Sequence, residues 1–169
     1  MTRQLVSRGF AVTAVDESEA MLSHVCDAEV VQARIEELDL GRRFDAVLLA
    51  SNLLSVEPDQ RRSFLRTCRR HADLVVIETL PLGWRPGAGD SRLGPVMTRT
   101  HLQRIEDGVA YGRVEYELAP RNWVHEFAMR VLADEAELEA ALAEEELELS
   151  RWLDRERGWF VATTSRARP

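Results

Sequence analysis

Few side chains in this sequence are placed for covalent or metal chemistry. The four histidines, His24, His71, His101 and His125, show no metal-ligand spacing and form no His-x-x-x-His pair. All 22 basic residues are arginine. That excludes Schiff-base chemistry on a lysine and a phosphate loop built around one. The two cysteines, Cys26 and Cys68, lie far apart in neither a metal nor a redox spacing, and are read as structural thiols in a reducing cytoplasmic setting. No serine sits in a nucleophile elbow. The acids of residues 134–148 are spread around one helix as a solvated face, so no metal site is predicted. What remains is a short set. Asp16 ends a strand-like run, His125 lies on a predicted strand, and Trp84 lies in a Pro/Gly-rich loop. His71 is expected to interact with a helix dipole.

These residues belong to a chain of 169 residues, 45% hydrophobic and 30% charged, which is the size of one domain with a core of its own. A net charge of −7 argues against a nucleic-acid groove. The longest uncharged apolar run, at residues 46–50 and 53–54, is far short of the roughly 20 residues that cross a bilayer. The first residues lack the pattern of a signal peptide. No nucleic-acid or membrane partner is expected.

Residues 2–8 read as the end of a helix stopped by Gly9. Residues 10–15 read as a strand, 18–25 as a helix started by Glu17 or Ser18, and 29–33 as a short strand. Residues 44–50 form a nearly continuous apolar strand, of the kind covered on both faces. Pro58 opens a helix over 59–71. Its Phe64, Leu65 and Cys68 fall at helical spacing, which leaves Arg61, Arg62, Arg66, Arg69 and Arg70 to water or acids. Residues 73–79 are a third strong strand. This alternation predicts an α/β fold with a mostly parallel sheet. Residues 80–95 hold three prolines and four glycines and are predicted to be an irregular loop. Beyond them, 101–105, 109–118 and 123–132 alternate as antiparallel strands. A helix over 135–146 and a hairpin of 148–153 with 158–164 close the chain, and 165–169 is expected to fray. A single domain over 1–169 is expected.

Several of these segments together resemble the class I S-adenosylmethionine-dependent methyltransferases, in particular the small bacterial methyltransferase-domain proteins. Val15-Asp16-Glu17-Ser18-Glu19-Ala20-Met21-Leu22 is similar to that family's second-strand motif. Arg34-Ile35-Glu36-Glu37-Leu38 resembles the turn after its third strand, and Phe44-Asp45-Ala46-Val47-Leu48-Leu49-Ala50 its fourth strand. The stretches 123–127, 137–149 and 159–162 resemble its closing helix and hairpin. The resemblance implies a three-layer Rossmann-like sandwich that transfers a methyl group from S-adenosylmethionine to a small-molecule acceptor. It implies that Asp16 accepts hydrogen bonds from the ribose diol, since an acid at the carboxyl end of a parallel strand faces the ligand crevice. The alternative for Asp16 is capping of the next helix. Met21 is placed against adenine, or else in the core. Ile35 and Glu36 are placed beside adenine, while Arg34 stands where an acceptor is usual. Ala50 and Ser51 are placed beside the methionine part of the cofactor, the alternative for Ser51 being ordinary turn chemistry. His125 lies on a strand that the family places beside the acceptor pocket, as a candidate general base or else an exposed strand residue. Trp84, in the loop at the carboxyl edge, is read from its position as a wall for an apolar acceptor or else as a pin for an irregular loop.

One signature of the family is missing: the Gly-rich loop after the first strand. Residues 2–9 resemble the helix that follows that loop, and no glycine precedes Gly9. The chain is therefore expected to be N-terminally incomplete, starting about 30 to 50 residues late by the size of a βα unit. A late start assignment is favoured over a decayed gene or a gap filled by a partner. In the family that first strand is central. Without it, buried backbone groups would go unmet at about 1–3 kcal/mol each. The alternative function is a noncatalytic methyltransferase-like module that no longer binds the cofactor. A nicotinamide-dependent oxidoreductase would explain Asp16 but not residues 123–164.

Overall fold

The computed structural model describes residues 1–165. All of the expected fraying tail except Ser165 lies outside them. Helix α1, Thr2–Ser7, ends at Arg8, and Gly9 then turns the chain with φ +87°, a conformation glycine adopts without strain. Strand β1, Thr13–Asp16, runs into a short helix α2, Glu19–Leu22, whose N-cap Ser18 accepts the Met21 N–H. Strand β2, Glu29–Gln32, pairs parallel to β1, with Thr13 opposite Glu29 and Asp16 opposite Gln32. A single 3-10 turn, Ile35–Glu37, follows.

Strand β3, Val47–Leu49, and strand β4, Leu74–Glu78, form a second parallel pair joined through helix α3, Pro58–His71. Antiparallel additions complete that sheet. Helix α4, Glu135–Ala143, leads into strands β9, Leu147–Trp152, and β10, Trp159–Thr164, giving the order β3-β4-β10-β9. The core lies between this sheet and the two long helices. Leu49, Val75, Ile77, Phe160 and Ala162 come from the strands, Phe64, Leu65 and Cys68 from α3, and Leu138 and Leu142 from α4. This is the stripe expected from the helical spacing in α3.

A third sheet is an antiparallel meander of β5, Gly89–Leu93; β6, Val96–Glu106; β7, Val109–Leu118; and β8, Arg121–Met129. Opposed positions share a face. Thr98, Tyr116 and Trp123 stand in one row, with the Tyr116 and Trp123 rings stacked at 5.2 Å. The next row, on the other face, carries Asp90, Arg99 and Glu115, with Asp90 paired to Arg99 at 3.0 Å, and His101 from the following row on that face lies 3.2 Å from Glu115.

Four expectations are corrected. The sheets are largely antiparallel rather than mostly parallel. Parallel pairing needs a long crossover, and beyond Glu78 strands β5 to β8 are joined by tight turns such as Gly94-Pro95 and Asp107-Gly108. Residues 80–95 are not wholly irregular, because 89–93 form the exposed first strand of that meander, where glycine is tolerated. Strand β3 is not covered on both faces: Leu48 is 38% exposed. Arg61 faces neither water nor an acid. It is buried and donates to the carbonyls of Leu54, Val56 and Arg130.

Among the described residues β1 pairs only with β2, and β3 on one side only with β4. One backbone edge of each is without a strand partner.

Candidate functional site

The strand polarity follows from contacts at the two ends of the strands. Arg42, just before β3, pairs with Glu29 and donates to Thr13 Oγ1 at 3.1 Å, so it touches the amino ends of β1 and β2. Arg43 bonds Asp73 at the amino end of β4, and the Phe44 N–H bonds the His71 carbonyl at the end of α3. The carboxyl ends of β1 to β4 therefore share the opposite edge, where α3 begins. There Gln60 donates to Glu36 Oε1 at 2.9 Å. In open α/β sheets this edge is where ligands bind.

Asp16 ends β1 at that edge, half-buried. Its Oδ1 accepts the Ser18 N–H at 2.8 Å, and among the described residues Oδ2 has no hydrogen-bond partner. One oxygen thus fixes the side chain against the turn, as the capping alternative anticipates, and the other remains an open acceptor. Gln32 donates to the Glu17 carbonyl at 3.1 Å and holds the same turn from β2.

The 3-10 turn supplies Ile35 and Glu36. Ile35 packs on the core, and its carbonyl accepts the Thr67 hydroxyl at 2.9 Å. Partial burial opposes charge on Glu36, but the Gln60 amide, the residue's own backbone N–H and the Arg34 guanidinium at 3.2 Å outweigh it and hold the carboxyl below its ordinary range. Arg34, with its side chain 57% exposed, pairs with Glu36 at the surface.

Ala50 and Ser51 follow β3. Ser51 and Asn52 both have positive φ, +64° and +55°, although neither is glycine. Such backbone is uncommon and strained. The Ser51 N–H donates to Glu78 Oε2 at 2.6 Å. Glu78 is a residue that sequence reasoning missed. The signal was available, because Glu78 ends a strong strand with an acid just as Asp16 does.

Met21 is 59% exposed on α2 and packs in no core. Trp84 is 41% exposed, and its N–H bonds the Pro81 carbonyl in the loop after β4. His125 is exposed on β8 opposite Val114, and its ring forms no hydrogen bond among the described residues. Strand β8 joins the body at Arg130, held by Ser55 and Arg61. At about 3.3 Å per residue, His125 lies roughly 17 Å along the strand from that anchor. The structure thus gathers Asp16, Ile35, Glu36, Ala50 and Ser51 on one edge, with Met21 and Trp84 on the segments that follow it. It sets His125 apart on the meander.

His71 is a structural residue. Its ring is buried, with Nε2 accepting the Leu40 N–H at 3.0 Å, so Nδ1 donates to the Thr67 carbonyl at 2.7 Å. A concavity of about 450 Å³ lies along the meander, lined in part by Asp90, Arg99, Tyr116 and Trp123, and none of the predicted site residues lines it. Among the described residues no three His, Cys, Asp or Glu side chains are grouped to hold a metal ion, and no helix is long and apolar enough to cross a membrane.

Residues 1–73 match the family model described as "Methyltransferase domain". No curated protein sequence matches the chain significantly. Three solved structures are similar. CalS10, an amino pentose methyltransferase from Micromonospora echinaspora with S-adenosylmethionine bound, is 20% identical with a TM-score of 0.69 over 95% of this chain and 77% of its own. The sugar N-methyltransferase KedS8 from Streptoalloteichus sp. ATCC 53650 is 21% identical with a TM-score of 0.66 over 91% and 71%. The CcbJ methyltransferase from Streptomyces caelestis is 20% identical with a TM-score of 0.70 over 94% and 80%. With the edge geometry above, these comparisons show that the chain has the fold of the class I S-adenosylmethionine-dependent methyltransferases.

Proposed function

We propose that this chain binds S-adenosylmethionine at the carboxyl edge of β1 to β4 and transfers its methyl group to a small-molecule acceptor. The observation that carries this reading is the divided carboxylate of Asp16, with one oxygen anchored by Ser18 and the other open at the ligand edge. That arrangement fits a ribose diol. Ile35 supplies an apolar wall and Glu36 a charged neighbour for the base, with Met21 on the adjoining helix. The backbone of Ala50 and Ser51 lies at the end of β3 for the methionine part. Trp84 stands beside the acceptor in this reading, and His125, on the meander, is the candidate base. The architecture is a three-layer Rossmann-like sandwich, extended by the meander.

The methyl donor carries its methyl group already activated, so the protein's work is alignment and exclusion of water. Asp16 orients the sugar, and the Ser51–Asn52 turn fixes the backbone beside it. The similar solved proteins that act on sugars favour a small polar acceptor.

A second reading, a noncatalytic methyltransferase-like module, is favoured by the strand edges of β1 and β3 that lack partners. Calorimetric titration of the full chain with S-adenosylhomocysteine and, separately, with NADH decides between the readings. The enzyme reading expects saturable binding of the first and none of the second. Binding of neither supports the module, and binding of NADH alone overturns the proposal.

A further inference from the structure

Two strained residues and one carboxylate meet where β3 and β4 end. Ser51 and Asn52 hold left-handed backbone in succession, at φ +64° and +55°, without being glycine. Backbone of that kind persists only where its surroundings over-determine it, and it gathers at ligand sites. Here the surroundings can be named. Glu78 is the last residue of β4, and its register opposite Trp159 of β10 fixes its place in the sheet. Its Oε2 accepts the Ser51 N–H at 2.6 Å, a short charge-assisted bond. On the far side of the turn, the Ser55 N–H bonds the Asn52 carbonyl at 2.9 Å. The turn is thus held at both ends, and only the Glu78 end uses a charge.

We propose that Glu78 is a positioning residue: by accepting the Ser51 amide it holds the strained Ser51–Asn52 turn in the one shape that presents the end of β3 to the bound cofactor. This rests on the cofactor reading above. Glu78 acts through the turn and touches no reacting atom.

Three variants and two readouts test it. Glu78→Ala removes the acceptor. Glu78→Gln keeps one without the charge. Ser51→Gly with Asn52→Gly makes positive φ free of steric cost, so the carboxylate has little left to hold. The readouts are the dissociation constant for S-adenosylhomocysteine and the chemical shift of the Ser51 amide proton. Expected are a downfield Ser51 amide in the wild type and a loss of affinity of about tenfold in Glu78→Ala. Glu78→Gln should recover most of that loss. In the double-glycine background, Glu78→Ala should cost less than about threefold. A wild type that binds while Glu78→Ala binds equally well overturns the positioning role alone. A wild type that does not bind overturns the cofactor reading and this role with it. An equal loss in both backgrounds overturns the claim that the turn transmits the effect.

Discussion

Arg61 is the side chain whose removal should cost the most for its size. It projects from the first turns of α3, is 4% exposed, and donates to Leu54 O at 2.7 Å, Val56 O at 3.1 Å and Arg130 O at 2.8 Å. Two of those carbonyls belong to the segment between β3 and α3, and the third lies just past β8. One guanidinium therefore ties the meander to the body. Burial pulls its pKa below the ordinary arginine value, opposed by the charge of Glu137, so the ion is held by its carbonyls at a real solvation cost. Arg61→Met keeps the aliphatic stem in place and deletes the donors. A net hydrogen bond, desolvation included, contributes about 0.5–1.5 kcal/mol, so three of them put the loss at about 1.5–4.5 kcal/mol. That is a large part of the roughly 5–15 kcal/mol that holds a domain together. With a urea slope near 2 kcal/mol/M, the midpoint should fall by about 1–2 M at unchanged slope. Hydrogen exchange at the Arg130 amide, which bonds Ser55 O, should accelerate in parallel. A midpoint shift below about 0.3 M would refute the clasp.

Other consequences are equally direct. A Cβ at Gly112 would lie 2.4 Å from the His101 carbonyl oxygen and 2.6 Å from the Phe127 ring, so Gly112→Ala should destabilise by about 1–3 kcal/mol, read by thermal melting. Burial pushes the Cys68 thiol up to about 12, whereas Cys26 is exposed; a thiol reagent at pH 8 should modify Cys26 alone until urea unfolds the chain. Glu36 sits below its ordinary 4.5 in the fold, because its hydrogen bonds and Arg34 outweigh the opposing burial. Its contribution to stability is therefore present above pH 4.5 and lost as pH falls through the folded value. A shallower acid-side loss of melting temperature is expected in Glu36→Gln than in the wild type.

Where local pattern dominated, the fold was legible. The Ser18 cap, the Pro58 start of α3, the apolar Phe64–Leu65–Cys68 stripe and the closing hairpin all depend on neighbours within a few residues. Long-range choices were less legible. Strand direction after Glu78 is set by turn length, and the glycines of residues 87–94 concealed an edge strand that pairs through its backbone. Arg61 read as a surface charge because composition does not reveal carbonyls contributed by residues 54, 56 and 130. The site divides in the same way. Asp16 was visible because an acid closes a β-branched run. Glu78 closes a strand in the same way, but the amide it holds is 27 residues away, and Ser51-Asn52 reads as a turn without showing which side chain fixes it.

The most direct measurement is the affinity of Asp16→Asn for S-adenosylhomocysteine beside that of the wild type. Asparagine keeps an acceptor for the Ser18 N–H, so the turn and the far-ultraviolet spectrum should be unchanged. It lacks the anionic second oxygen. Since a hydrogen bond to a charged group contributes about 1.5–3 kcal/mol, binding should weaken by about 10- to 150-fold. Equal affinities for the two proteins would contradict the placement of the ribose on Asp16.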